Sequence, residues 1–338
     1  MAFLSANSYM GLVVESTRGT LPTGGTPVYI PVTSPQVTPM QTFLRDEAFR
    51  GSPTTVYDQV QGVRHDEYDA KFYLFADTFG TLAKSILGGT DTVTGSTYYT
   101  HNIKLLNNSA TGSQPQSYSI LDFDGANYFT MTGAQADSLA ITFGAEAAAD
   151  ATVKFMANPY TSYTSAPAPF TTLSLSTEHL IPAWDTVITV SGINSGAALT
   201  YIQTGELSLA RKTAPIFTMG TQAPLVNFAG PIEVSGKFTA VVNTNADAWS
   251  TGSTAEALTR SPQVVTITMT DPNDITSGTN HSIAFTMTSV QFHDVKRTRG
   301  KEYTEVELSF TANANATDAT TGYSPVQATI VNATAAAY

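Results

Sequence analysis

The stretch Glu302-Tyr-Thr-Glu-Val-Glu-Leu-Ser-Phe310 decides the fold class. Successive side chains of a strand point to opposite faces, so Thr304, Val306, Leu308 and Phe310 share one face and Tyr303, Glu305, Glu307 and Ser309 the other. One face suits a core and the other suits water, the pattern of an antiparallel sheet. Upstream, Ile283, Phe285 and Met287 share a face, but the apolar set then jumps to Val290 and Phe292, which predicts a β-bulge near Ser289. Val265, Ile267 and Met269 form a third strand, read as ending at Asp271-Pro272-Asn273-Asp274. The same period of two, bounded by Gly, Pro, Asn or Asp, recurs along most of the chain. Only one helix is well signalled, over Asp77–Leu87: Phe79, Leu82, Ala83 and Ile86 have helical spacing, Asp77 is the expected N-cap and Gly88-Gly89 the stop. Residues 90–96, 107–116 and 160–167 read as polar loops, and the Ala/Thr-rich residues after Phe310 as an extended arm. The expected class is mainly β with a short flanking α-helix.

The chain has 338 residues and no cysteine, which excludes disulfide scaffolds, thiolate zinc sites and cysteine nucleophiles. Only 13% of residues are charged, about half the usual globular share, and the net charge is -11. An acidic balance repels phosphate and argues against a nucleic-acid reader that neutralises the backbone with Lys and Arg. With 42% hydrophobic residues, 17 Phe and 15 Tyr, the chain can bury a sizeable core and is not disordered throughout. The start has no basic region before an apolar run, so no secretory signal is expected, and no window reaches the roughly 20 apolar residues of a spanning helix. Synthesis in a cytosol and no membrane partner are the expectation.

An internal echo accompanies the strands. Glu67-Tyr-Asp-Ala-Lys-Phe-Tyr-Leu-Phe75 lies over Glu233-Val-Ser-Gly-Lys-Phe-Thr-Ala-Val241 at an offset of 166 residues, with Asp77 over Asn243 as the next helix caps. Glu67/Glu233, Lys71/Lys237 and Phe72/Phe238 are identical, and the alternation matches. The expected division is therefore two modules. Residues 1–170 would hold a hairpin strand at 63–75 and the helix at 77–87. Residues 171–338 would hold hairpin strands within 201–241, a meander over 263–312 and an arm over 313–338.

Motifs for chemistry are sparse. Gly230-Pro-Ile-Glu-Val-Ser-Gly236-Lys237-Phe238 misses the phosphate-loop pattern, with five residues between the glycines and Phe where a hydroxyl should bind magnesium. It reads as a strand with a small residue at Gly236. His65, Glu67 and Asp69 share a strand face but fit a solvated acidic strand start better than a metal site. His293-Asp294 has no nucleophile elbow beside it. No catalytic, cofactor or metal residue is assigned, and the expectation is a non-enzyme. Lys296, Arg297, Arg299 and Lys301 cluster between two strands and read as a hairpin loop, suited to an acidic surface of a neighbouring copy.

Several stretches together resemble the major tail tube proteins of long-tailed, non-contractile bacteriophages. They are Gly11-Leu-Val-Val-Glu-Ser-Thr-Arg-Gly-Thr20, Val28-Tyr-Ile-Pro-Val-Thr33, Arg50-Gly-Ser52, Gln61-Gly62 and the strand-to-helix unit Tyr68 to Gly89. Further on come Ser117 to Asp124, the Gly133-Ala134 turn with Asp137 to Thr142, Gly205 to Arg211, Pro224 and Glu233 to Gly236. The sequence departs most near residues 90–116 and 245–260. The resemblance implies β-sandwich modules flanked by a helix, and a curved hairpin that joins neighbours into a ring with a β-barrel inner wall. It also implies stacked rings through which DNA is ejected, with tape-measure, tail terminator and distal tail proteins as partners. Two modules per chain would build a homotrimeric, pseudo-hexameric ring; one would require a homohexamer. Candidates for an acidic lumen are Glu67, Asp69, Lys71, Glu233 and Lys237, with Lys71 and Lys237 pairing acids across strands. Lys296, Arg297, Arg299 and Lys301 are the candidates for contact between rings. A virion- or cell-surface β-sandwich recognising glycans through Tyr98, Tyr99, Tyr160 and Tyr163 is the alternative, and a hydrolase a third reading.

Overall fold

The computed structural model describes residues 4–191, 196–241, 262–276, 278–300 and 302–338. Its strands follow the alternation. On β4 (Asp58–Tyr73), Tyr68, Ala70 and Phe72 are buried while Lys71 and Tyr73 are exposed, and on β18 (Thr304–Ala312) Val306, Leu308 and Phe310 point inward. These side chains meet Phe155, Phe238, Phe285 and Phe292 in one core that spans both halves of the chain. Burying each such ring contributes about 1.5–3 kcal/mol.

The remaining strands of the first half are β1 (Tyr9–Val14), β2 (Val28–Ile30), β3 (Ser34–Asp46), β5 (Thr92–Gly95), β6 (Tyr99–Lys104), β7 (Tyr118–Phe123), β8 (Tyr128–Gly144), β9 (Asp150–Ala157) and β10 (Thr161–Tyr163). The second half adds β11 (Thr186–Val190), β12 (Ile202–Ala210), β13 (Ala214–Ile216), β14 (Val226–Phe228), β15 (Glu233–Val241), β16 (Gln263–Thr276), β17 (Thr279–Arg299) and β19 (Gln327–Asn332).

One antiparallel pairing order occurs twice. In the first half it runs β1–β7–β8–β9–β4–β3, with β10 on the start of β8. In the second it runs β11–β16–β17–β18–β15–β12, with β19 on the start of β17. Both orders include a bulge at the same place: one extra residue lies between Met131 and Ala134 of β8, and one between Met287 and Val290 of β17. The second is the bulge expected near Ser289. The first places Gly133, at φ 62°, inside a strand rather than in the expected turn. The two ladders are joined where the end of β8 pairs with β12.

Five other expectations change. The N-cap position of α1 (Phe79–Leu87) is Thr78, not Asp77, and the Thr78 side chain makes no capping hydrogen bond; Asn243 lies outside the described residues. Gly88 closes the helix in the left-handed conformation, its N–H donating to Lys84 O. The segment after Phe310 is not a free arm: β19 fills the gap between β17 and β6, and Tyr338 packs on His101. β16 runs past Asp271 to Thr276, with Asp271 accepting from Asn273 N at 3.0 Å to hold the irregular register. Lys296, Arg297 and Arg299 do not form a loop. They are the last turns of β17, where Lys296 faces Glu307 on β18 and offsets its charge across the strands; the loop comes after, and Lys301 lies outside the described residues. The polar segments 90–96 and 160–167 also contain short strands, β5 and β10.

Candidate functional site

Strand register brings the five lumen candidates together. Residues directly opposite in a ladder share a face. One such row runs Asp69, Lys154, Ser138, Ala210 and Glu233, and the next runs Lys71, Thr152, Ala140, Ser208, Ser235 and Thr311. A third runs Tyr73, Asp150, Thr142, Glu206, Lys237, Ser309 and Asp294. Glu67 sits two residues before Asp69 and so on the same face. A single sheet, in the order β3–β4–β9–β8–β12–β15–β18–β17, thus presents one charged face opposite the core.

The charges on that face are paired across strands, as expected for Lys71 and Lys237. Lys71 Nζ lies 2.9 Å from Asp150, Lys154 Nζ 2.8 Å from Glu67, Lys237 Nζ 3.2 Å from Glu206 and Lys212 Nζ 3.8 Å from Glu233. Such solvated pairs contribute up to about 1 kcal/mol each. The hydrogen bond to Glu67 holds the Lys154 ammonium above its ordinary pKa, and Asp69 and Asp137 add to it. Partial burial raises Asp69, opposed by Lys154. Acids remain in excess, because Glu67, Asp69, Asp150, Glu206, Glu233, Asp294, Glu305 and Glu307 are set against Lys71, Lys154, Lys212, Lys237 and Lys296. Asp150, Lys154 and Glu206 were not anticipated; alternation in β9 and β12 carried the signal.

The basic cluster is divided. Lys296 shares the charged face with Glu307, whereas Arg297 and Arg299 fall opposite Val306 and Thr304 on the other side.

Both ends of this sheet are open. Among the described residues β3 pairs only with β4, and residues 294–296 pair only with β18. The connection from β12 to β15 leaves the sheet and covers the first half of the chain. Arg211, buried at the end of β12, donates to Ile86 O at 2.5 Å and Leu87 O at 3.2 Å, the carbonyls at the end of α1. Further along, Arg64 N donates to Gln222 O at 2.9 Å and Asn227 Nδ2 to Gly133 O at 2.9 Å. Beyond the Arg64 contact the β3–β4 arm leaves Phe43, Leu44, Phe49 and Val60 exposed.

Among the described residues, no three His, Asp or Glu side chains converge as a metal set. His293 Nδ1 lies 2.7 Å from Asp294 and its Nε2 3.3 Å from Thr311 Oγ1, but all three are on the open sheet. Tyr160 stacks edge-on with Phe129 and lies under Arg64, away from Tyr99 in β6.

A continuous two-faced sheet with open ends is a wall element, and a profile for phage tail tube protein matches residues 5–314. The chain belongs to the phage tail tube protein family. This tail tube protein is therefore a structural, non-enzymatic virion component of a kind that self-assembles into a tube. It has no significant match among curated proteins. No helix among the described residues is long and apolar enough to cross a membrane.

Proposed function

We propose that this tail tube protein closes into rings of three copies that stack into the tube of a long, non-contractile tail, with the charged face lining the channel for DNA ejection. The observation that carries this reading is the continuous sheet from β3 to β17, apolar on one face, charged on the other and, among the described residues, open at both ends. An open strand pairs with another chain when nothing covers it. A head-to-tail contact between unlike edges generates a ring when its rotation closes. The repeated pairing order supports two modules per chain, residues 1–170 and 171–338, and hence a trimer with pseudo-sixfold symmetry rather than a hexamer.

The acidic excess on the face has the sign of DNA phosphate. A wall that neutralised phosphates would release counterions and retain the duplex, whereas like charge keeps it mobile. Arg297 and Arg299, with Lys296 and Lys301, are proposed to meet an acidic surface of the next ring. Tape-measure, tail terminator and distal tail proteins complete the proposed partners, and synthesis in the host cytoplasm precedes assembly. Negative-stain electron microscopy of concentrated protein tests the reading: rings and tubes with an open channel are expected, and persistent monomers refute it.

A further inference from the structure

The joint between β8 and β12 inside one chain is a template for the joint between two chains. β12 stands to β15 as β3 stands to β4: Glu206 faces Lys237 as Ser34 faces Lys71, and Ala210 faces Glu233 as Thr38 faces Glu67. β8 stands to β9 as β17 stands to β18: Thr142 faces Asp150 as Lys296 faces Glu307, and Ala140 faces Thr152 as Asp294 faces Ser309. Lys71 and Lys237 fix this equivalence independently, since they face Thr152 and Ser309. The difference is that β8 and β12 have each other, while residues 294–296 and the outer edge of β3 have no strand beside them among the described residues.

We infer that β3 of one copy pairs antiparallel with residues 294–296 of a second copy, Ser34 opposite Lys296 and Gln36 opposite Asp294, and that Pro35 keeps this joint weaker than its internal counterpart. The inference rests on the ring reading above. The register follows from Glu206 opposite Thr142 and Ser208 opposite Ala140 within the chain.

The weakness comes from a missing donor. Inside the chain the Arg211 N–H donates to Asp137 O at 2.7 Å, outward from β12 to β8. The position in β3 equivalent to Arg211 is Pro39, and the one equivalent to Leu207 is Pro35. Proline has no N–H and sits in a strand with that gap turned away from its partner. Four residues apart, the two prolines turn the same edge outward. Opposite residues 294–296 that edge is one donor short, at Pro35, and proline on an edge blunts indiscriminate strand addition. The joint therefore depends on the rest of the contact. Just as the β12–β15 connection covers the first half of its own chain, the exposed Phe43, Leu44, Phe49 and Val60 of the β3–β4 arm cover the second half of the neighbour.

The absence of cysteine makes the register directly testable. Residues opposed across an antiparallel pair have Cβ atoms about 4.5–5.5 Å apart, close to disulfide range. The double variant Gln36→Cys with Asp294→Cys, and independently Ser34→Cys with Lys296→Cys, are oxidised under conditions where electron microscopy finds rings. Covalent oligomers on a non-reducing gel are expected from both. The slipped pair Val37→Cys with Asp294→Cys, on opposite faces, is expected to give none. Rings without cross-links from either opposed pair overturn the edge assignment and leave the ring reading standing; no rings and no cross-links overturn both. Separately, Pro35→Leu is expected to lower the concentration at which light scattering detects assembly by about fivefold, the effect of one restored hydrogen bond. An unchanged or raised threshold overturns the role of Pro35.

Discussion

Glu15 is buried on β1's C-terminal side, and each of its oxygens accepts two hydrogen bonds. Oε2 takes Gly19 N at 2.7 Å and Ser117 Oγ at 2.6 Å, and Oε1 takes Ser119 Oγ and Gly133 N, both at 2.7 Å. This one carboxylate ties β1 to β7 and to the bulge of β8. Glu15→Gln turns an amide donor toward two existing donors and is expected to cost about 2–4 kcal/mol in denaturant unfolding. Asp122 is a contrasting case. Burial pushes its pKa up to about 6 from 3.8, although the Tyr68 hydroxyl, donating at 3.1 Å, pulls the other way. A folded-state pKa raised above the unfolded value means that stability present below about pH 4 is lost as pH rises through about 6. The loss is on the order of 2–3 kcal/mol. Asp122→Asn keeps an acceptor for Tyr68 but cannot ionise, so thermal unfolding followed between pH 4 and 7 is expected to lose that slope. Neither role was legible in the sequence. Glu15 and Asp122 sit in stretches picked out as signatures, but apart from Gly19 their partners lie more than 50 residues away.

At the scale of elements, the strands around Gly236 explain a residue that the sequence marked only as small. A Cβ on Gly236 would lie 2.4 Å from the Phe310 ring and 2.6 Å from Glu206 O, where β12, β15 and β18 run side by side. Phe310 can yield only by moving into Phe238 and Phe292, which it already contacts. Gly236→Ala is therefore expected to destabilise by about 1–3 kcal/mol, measured as a shift in the denaturant midpoint at unchanged slope. The β17 strand was legible in its apolar half and not in its basic half. Charge clusters favour loops when read locally, but a ladder that sets Lys296 against Glu307 and Thr298 against Glu305 makes the same residues compatible with a strand. The C-terminal segment was misread for a related reason. β19 is a short strand inside an Ala/Thr-rich segment, and it fills the strand-wide gap between β17 and β6.

For the whole molecule, the sheet gathers charges from both halves of the chain onto one face. The prediction that belongs to this scale concerns passage of DNA. Glu67→Lys, Asp69→Lys and Glu233→Lys together convert part of that face to basic without altering the core behind it. Tubes are expected still to form, while DNA is retained by them in a low-salt co-sedimentation assay and released as salt rises. Normal ejection rates from particles carrying the triple variant would show that the charged face is elsewhere than the channel.

The sequence by itself determined the class of structure, the helix α1, the inward and outward faces of the main strands and the acid excess. Each of these follows from a local period of two or of 3.6, or from composition, and burial enforces the period residue by residue. Only the tertiary structure decided which strands are neighbours. The pairing of Thr142 with Glu206, or of Asp294 with Ser309, turns on register between segments distant in the chain, and it is register that merges separate polar faces into one wall. The echo of Glu67 to Phe75 in Glu233 to Val241 was a hint of repetition, but three identities carry no pairing information. The doubled order of strands and the open edges at β3 and β17 come from the network of backbone hydrogen bonds, which no local pattern encodes.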